Sequence, residues 1–329
     1  MSIQIFSLLT LFQSFLNSTI FRFLKQAPYK HVYIVKPPRP RSFSTNVHRR
    51  MPAGAWDSHM HVTSPDYPLA HAAYKPALHT AQDVKRFEST IGIANVVLVQ
   101  PSIYGNDNTC LLDGLRAIGP RRARGVVEID PDAVDMAELA HWHQLGVRGV
   151  RLNLKSVNAS LTEAELEATL RRYANVVRPL GWVLELFIAM ESLPVLDRLA
   201  STLDVRICLA HFGAPKLPPM EKRLHPLHPY ELAGFSSLIS LLKKGNVWVK
   251  MSAAYRFDED PDLRGIEAVA RELLQRAPER LVFASDWPHT RFDGYDVRPF
   301  VERCLEWTEA VGGTQKVFRD NAMELWDVR

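Results

Sequence analysis

The sequence predicts a single (β/α)8 barrel of the TIM-barrel class, preceded by a non-globular N-terminal leader. Short β-rich runs alternate with longer helical patterns through residues 54–328, and eight of each can be placed. Most of the β-rich runs are almost continuously apolar, as expected for parallel strands that are covered on both faces. A barrel of this class usually contains ~250 residues, so the length agrees. A doubly wound open sheet fits less well, because no glycine-rich phosphate turn follows the first run.

Each element is predicted from its own pattern, and strands and helices alternate along the chain. The predicted strands, which are short apolar runs, are 55–62, 95–101, 123–130, 147–153, 183–189, 205–211, 246–252 and 281–287. The predicted helices between them are 80–91, 109–118, 134–145, 162–180, 192–203, 230–243, 262–276 and 297–311. Thr162, followed by Glu165, is typical of a capped helix start. Gly146, Gly181 and Gly245 lie where helices are expected to end.

Composition and charge exclude several classes of function for the folded part of the chain. The protein has 329 residues, of which 47% are hydrophobic and 23% charged, as in ordinary globular proteins. Residues 1–50 hold eight Lys and Arg residues and no acid, which leaves 32 basic and 36 acidic residues, a net charge of about −4, for the remainder. A mildly acidic body gives no electrostatic case for binding nucleic acid. Cys110, Cys208 and Cys304 are widely spaced and predict no disulfide framework.

Residues 1–50 form the predicted leader, and residues 54–328 the predicted barrel domain. The leader is acid-free, rich in Ser and Thr, and ends with the runs 41–45 and 49–50, which are typical of a mitochondrial transit peptide. Two alternatives stay open. Met51 is the true start, which makes the protein cytoplasmic, or residues 3–24 form a membrane anchor. Polar residues at helical spacing through residues 3–24 favour an amphipathic helix over a spanning one. No membrane contact is expected for the mature domain.

Polar side chains at the ends of the predicted strands mark the candidate active site, because these ends converge on one mouth of a barrel. His59 and His61 end the first strand two residues apart, so both imidazoles point to the same side. Asp286 ends the last strand, next to the first. The other candidates at strand ends are Gln100, Ser102, Tyr104, Arg151, Asn153, His211, Ser252, Arg256 and His289. The proline-rich run 215–229 after the sixth strand is either a lid over this site or an ordinary surface loop.

Two further histidine pairs do not share this placement. His141 and His143 lie on a predicted helix, where residues two apart face different ways. His225 and His228 lie in the proline-rich run. We therefore interpret these four histidines as surface residues and not as ligands.

The motifs around the candidate site resemble those of the amidohydrolase superfamily. They are Asp57-Ser58-His59-Met60-His61, Leu209-Ala210-His211-Phe212-Gly213 and Ser285-Asp286-Trp287-Pro288-His289. More narrowly, they are similar to the amidohydrolase-related branch (amidohydrolase 2) that holds 2-pyrone-4,6-dicarboxylate lactonase, sugar-acid lactonases and D-galactarolactone isomerase. Residues 100–108 and 146–151 also match that branch, and the likeness spans residues 54–328.

The resemblance implies a hydrolase that opens the lactone of a carboxylated small molecule, either a sugar-acid or an aromatic-catabolite lactone. Asp286 is expected to activate water as a general base, while His59, His61 and His211 polarise the ring carbonyl. The expected substrate ligands are Arg151, Arg256, Ser102, Tyr104, Asn108 and His289. Two further arginine positions of the dicarboxylate lactonase hold Val157 and Ala214 here, which favours a substrate with one carboxylate.

Metal content and reaction outcome stay open in the sequence. Metal-dependent relatives typically add a histidine at the end of the fifth strand, and residues 183–189 contain none, which favours a site without a cofactor. One Zn²⁺ held by His59, His61 and Asp286 is the alternative, since three protein ligands suffice. Lactone isomerisation, zinc-dependent amide hydrolysis or decarboxylation, and a non-catalytic binding barrel are the competing functions. Nothing in the helices specifies an oligomeric interface.

Overall fold

The structure, a computed structural model, describes residues 47–70, 77–223 and 226–328. Eight strands in this part of the chain form one parallel sheet in sequence order. They are β1 (Trp56–Met60), β2 (Asn95–Val99), β3 (Ala123–Val127), β4 (Val147–Asn153), β5 (Val183–Phe187), β6 (Arg206–Leu209), β7 (Val247–Met251) and β8 (Leu281–Phe283). A parallel bridge between Met60 and Trp287 brings the last strand back beside the first. The predicted (β/α)8 barrel is thereby confirmed.

One helix follows each strand and covers the outside of the sheet. These helices are α1 (Ala81–Ile91), α2 (Thr109–Ile118), α3 (Met136–Leu145), α4 (Glu163–Val177), α5 (Leu193–Leu203), α6 (Phe235–Lys243), α7 (Arg264–Arg276) and α8 (Arg298–Glu309). Thr162 caps α4 as predicted, because its hydroxyl accepts from the Glu165 backbone and the Glu165 carboxylate accepts from the Thr162 backbone. Gly146 and Gly181 adopt left-handed conformations at helix ends, also as predicted.

Seven of the eight strands are shorter than their apolar runs predict, and two of them, β6 and β8, end just before candidate site residues. β6 ends at Leu209 and the chain turns at His211, whose φ is 54°. β8 ends at Phe283, before Asp286 at φ 64°. Residues other than glycine adopt such left-handed angles at a cost of roughly 1–3 kcal/mol, typically at functional positions. The apolar pattern does not reveal where either strand ends, because the residues on both sides of each turn are buried.

The barrel interior and the layer beneath the helices have separate apolar cores. Alternate residues of β2 show the division, because Val96 packs in the outer core and Val97 in the inner one. Trp56, Trp248 and Trp326 fill the inner core from the end of the barrel opposite the strand carboxyl ends. The inside of the barrel is therefore packed below the candidate site, which leaves only its mouth for ligands.

The described part of the proline-rich run 215–229 is fastened to the barrel. Arg223 is buried, and its guanidinium donates to Asp258 Oδ1 at 2.5 Å and to the Pro218 carbonyl at 3.1 Å. Asp258 in turn accepts from the Ile266 backbone at the start of α7. These contacts support an anchored surface loop in preference to a lid. His225 of this run lies outside the described residues.

The leader, as predicted for residues 1–50, lies outside the described residues except at its end. Val47–Arg50 form a helical turn in which Val47 is buried. Arg50 makes an ion pair with Glu309 at the end of α8, at 2.7 Å. The folded part of the chain therefore begins before residue 54, the boundary expected from the sequence. No helix among the described residues has the length and apolar character needed to span a membrane.

A buried carboxyl on α1 makes the stability of the barrel dependent on pH. Burial raises the pKa of Glu88 from 4.5 to about 7, against the opposing effect of Arg122. The folded state then binds a proton more tightly than the unfolded state, so stability falls as pH rises between about 4.5 and 7. We expect Glu88→Gln to match wild type at pH 5 and to be more stable by about 2–3 kcal/mol at pH 8. Urea unfolding at both pH values measures this, and an equal difference at both would contradict it.

Candidate active site

The backbone junction between β1 and β8 places the residues of the candidate site. The Asp286 amide donates to the His59 carbonyl at 3.0 Å, and the His61 amide donates to the Trp287 carbonyl at 2.8 Å. Below them, Asp57 Oδ1 accepts from the backbone amides of His59 at 3.1 Å and of Ser285 at 2.9 Å. Two remote segments are thereby fixed to each other on both sides of the site.

The two oxygens of Asp286 have different surroundings. Oδ2 accepts hydrogen bonds from the Tyr255 hydroxyl at 2.6 Å and from Arg256 Nε at 2.8 Å. Oδ1 faces three imidazole nitrogens, the Nε2 atoms of His59 at 3.6 Å, His61 at 3.7 Å and His211 at 3.9 Å. Burial opposes ionisation of Asp286, but Arg256 and the imidazoles hold its pKa well below the ordinary value. Asp286 is therefore a carboxylate with Oδ1 directed at the space between the rings.

The other nitrogen of each ring is held from behind. His61 Nδ1 lies 2.7 Å from the Val99 carbonyl, and His211 Nδ1 lies 2.7 Å from Ser252 Oγ. Since a carbonyl can only accept, His61 carries its proton on Nδ1 and has a lone pair on Nε2 in the neutral form. Burial lowers the pKa of His211 to about 3 and that of His59 well below its ordinary value, so both rings are neutral at pH 7.

A buried ion pair lies beneath the histidines. Lys250 on β7 donates to Glu185 Oε2 on β5, and both side chains are inaccessible to solvent. Lys250 Nζ also lies 3.1 Å from His59 Nδ1. Neither residue was among the candidates from the sequence, although a lone lysine within the apolar run Val247–Met251 indicates a charge that could point into the barrel.

The candidate site opens into a small pocket at the mouth of the barrel. Among the described residues, its lining consists of His61, Pro101, Ser102, Arg151, Ser156, Phe187, His211, Arg256, Asp286, Thr290 and Arg291. Six of the ten residues proposed from the sequence for catalysis or substrate contact are in this lining, and His59 lies directly below. The positive charges in the lining suit an anionic ligand.

Three residues expected to contact substrate lie outside this lining. The Tyr104 hydroxyl donates to the Ser64 carbonyl at 2.7 Å and accepts from its amide. The Asn108 side chain bonds both backbone groups of Glu128, at 2.8 and 3.0 Å. His289 is buried against Tyr255 behind Asp286, where burial lowers its pKa to about 4. Tyr104 and Asn108 hold loops in place. Both residues come after the end of β2, where the chain turns, so the direction of the strand does not predict where their side chains point.

Arg291 was missed by the sequence reasoning, as were Thr290 and Tyr255. Arg291 follows Asp286 by five residues in an irregular loop and has a φ of 70°. No periodicity predicts the direction of a side chain in such a loop. The expectation of one substrate carboxylate rested on Arg151 and Arg256, and the described pocket lining contains Arg291 as well.

His59, His61 and Asp286 are spaced as metal ligands, with donor atoms within 4.8 Å of one another. The chemistry around these donors does not suit a cation. Lys250 Nζ lies 3.1 Å from His59 Nδ1, and an ammonium can only donate, so this contact favours the His59 tautomer with its proton on Nε2. Lys250 and Arg256 also place positive charge beside the three donors. As folded, this donor set is a poor fit for resident zinc.

Comparison with known proteins shows similarity to amidohydrolases in both sequence and structure. The family model described as "Amidohydrolase" matches residues 56–328. A 4-sulfomuconolactone hydrolase from Hydrogenophaga intermedia is 30% identical over 254 residues, 75% of this chain and 78% of the relative. A 2-pyrone-4,6-dicarboxylate hydrolase from Comamonas testosteroni is 28% identical over 293 residues, 84% and 91% of the two chains. A Pseudomonas putida structure, provisionally assigned as a 2-pyrone-4,6-dicarboxylic acid hydrolase, is 31% identical with TM-score 0.66, covering 84% of this chain and 98% of that chain.

The cationic pocket predicts binding of small polyanions independently of any reaction. We expect citrate at ten times its Kd to raise the Tm of the protein by about 3 °C. Arg291→Met is expected to weaken citrate binding about tenfold, since one guanidinium–carboxylate contact is lost. Arg116→Met on the outer face of α2 is the matched control and is expected to change nothing. Equal citrate affinity in wild type and Arg291→Met, measured by calorimetry, would place Arg291 outside the binding site.

Proposed function

Because this chain belongs to the amidohydrolase family, we propose that it is a hydrolase that opens a lactone carrying acidic groups. The observation that carries the proposal is the asymmetry of Asp286. Its Oδ2 is fixed by Tyr255 and Arg256, while Oδ1 faces three imidazoles at the base of a cationic pocket. A carboxylate in that position can take a proton from water next to a bound carbonyl.

The reaction is a hydrolysis at the ring carbonyl. Asp286 Oδ1 removes a proton from a water molecule, and the hydroxide equivalent attacks the lactone carbon. The carbonyl oxygen becomes an oxyanion, the bond to the ring oxygen breaks, and that oxygen receives the proton held by Asp286. The product is an open hydroxy acid, and its keto tautomer where the ring oxygen was enolic.

The position of the proton on each imidazole decides which role that ring can take in the reaction. His61, with its proton on Nδ1, offers the Nε2 lone pair to the water and orients it toward the lactone carbon. His211 presents an N–H from Nε2 when Nδ1 accepts from Ser252, and it can donate to the oxyanion. A donor aimed at a developing oxyanion contributes about 3 kcal/mol to the transition state.

The acidic groups of the substrate are bound by the wall of the pocket. Arg151 and Arg291 line it together with the hydroxyls of Ser102, Ser156 and Thr290. Arg256 also contributes but is partly committed to Asp286. The names of both relatives denote lactones with strongly acidic substituents, a dicarboxylate and a sulfonate. We therefore propose a lactone with two acidic groups, in place of the single carboxylate expected from the sequence.

The test is a pH-indicator assay of the full chain against lactones with one and with two acidic groups. Asp286→Asn is expected to lower kcat at least about 10³-fold with little change in fold, because the general base is lost. Asp113→Asn, which alters an exposed carboxylate on α2, is the control and is expected to leave kcat unchanged. Retained turnover in Asp286→Asn would contradict the mechanism. Ring migration without acid release, seen by NMR, would replace hydrolysis with isomerisation.

We propose that the reaction needs no resident metal, since Asp286 activates water without one. The tautomer of His59 and the nearby cations support this proposal. Dialysis against a chelator is expected to leave kcat unchanged, and stoichiometric zinc is expected not to raise it. Loss of activity on chelation, followed by recovery with zinc, would instead identify a zinc-dependent amidohydrolase.

A further inference from the structure

The ammonium group of Lys250 is fully buried in the barrel interior. The described residues give it three neighbours. These are Glu185 Oε2, His59 Nδ1 at 3.1 Å, and the ring of Trp326, whose centroid is 5.2 Å away. Burying an ammonium group costs free energy unless it is paired, so a lysine buried among apolar side chains alone would destabilise the fold. Lys250 is fully buried and is not among the residues that line the pocket, and its Nζ lies behind His59, on the Nδ1 side of the ring.

We propose that Lys250, held by Glu185, is a positioning residue that fixes the proton of His59 on Nε2, where it points at Asp286 and the reacting oxygen. The ammonium can only donate, so His59 Nδ1 must accept. His59 Nε2 then has a proton and no hydrogen-bond partner within the described structure, its nearest acceptor being Asp286 Oδ1 at 3.6 Å. This vacant donor is available to an oxyanion or to a water in the pocket. The inference rests on the proposed function only for the identity of that oxygen.

The same contact decides against metal binding at His59. An imidazole that ligates zinc through Nε2 usually donates its Nδ1 proton to a carboxylate or carbonyl behind it. Glu185 Oε1, 3.5 Å from His59 Nδ1, is the group that could accept such a proton. Lys250 approaches the same nitrogen more closely and reverses the direction of the hydrogen bond. Lys250 therefore decides whether His59 presents an N–H donor from Nε2 or a lone pair that could bind a metal.

Lys250→Met is the variant that tests the proposal, since it keeps an unbranched side chain as far as Cε and removes the ammonium. In ¹⁵N-histidine NMR of the full chain, His59 of the wild type is expected to carry its proton on Nε2. In Lys250→Met the proton is expected to move to Nδ1 and to bond Glu185. Lys244→Met, which breaks the outer ion pair with Asp197, is the matched control and is expected to leave His59 unchanged.

Two further measurements separate positioning from mere structural support. Lys250→Met is expected to lower kcat about 100-fold with little change in KM, because an oxyanion donor is lost and the pocket wall is not. Its affinity for zinc is expected to rise at least about tenfold over wild type, since His59 gains a metal-type orientation. If Lys250→Met does not fold, the double variant Lys250→Met/Glu185→Gln is used in its place. In that variant the proton of His59 is expected to be no longer confined to Nε2.

An unchanged His59 tautomer in either folded variant would overturn the inference, as would unchanged zinc affinity in Lys250→Met. Both readouts are taken without substrate. If Asp286→Asn disproves the lactone hydrolysis while the tautomer still depends on Lys250, the proposed function fails and the inference about His59 stands.

Discussion

The structure depends on the closure of the barrel between its first and last strands. Backbone hydrogen bonds join Asp286 to His59 and His61 to Trp287, and Asp57 accepts amides from both segments at once. Because these bonds set the separation of the histidines from Asp286, any ligand chemistry at the mouth requires the closed barrel. A barrel opened at this seam would keep most of its apolar core and lose the site.

Buried charges are then matched one against another around that seam. The charge of Asp286 is matched by Arg256, with a further hydrogen bond from the Tyr255 hydroxyl, and the charge of Glu185 is matched by Lys250. Ion pairs of this kind contribute little net stability, because desolvation offsets most of the attraction, but removing one partner is costly. Their effect here is on chemistry. We propose that each pair fixes a protonation state or a tautomer, so that one carboxylate oxygen and the three ring nitrogens it faces have defined states.

The pocket wall and the pocket floor have different functions in the proposed reaction. The floor, made by Asp286 and the imidazoles, suits attack on an activated carbonyl. In the proposed function the wall, which Arg151 and Arg291 line, binds the acidic groups and orients the ring above that floor. Floor residues come from strand ends, whereas Arg291 comes from an irregular loop. Loop residues can therefore alter substrate choice while the reaction is kept, as is common in barrels of this class.

The sequence by itself determined the barrel, its strand order and the meeting of His59, His61, His211 and Asp286, since apolar periodicity and strand-end position are local properties. Only the tertiary structure decided the rest. Tyr104 and Asn108 turned into loop contacts, Arg291 reached the pocket from a loop without periodicity, and Glu185 and Lys250 met across the interior from β5 and β7. The physical reason is distance along the chain. A hydrogen bond between residues 65 or 191 positions apart, such as those of Lys250 to Glu185 and to His59, depends on the closed barrel and leaves no pattern in either segment.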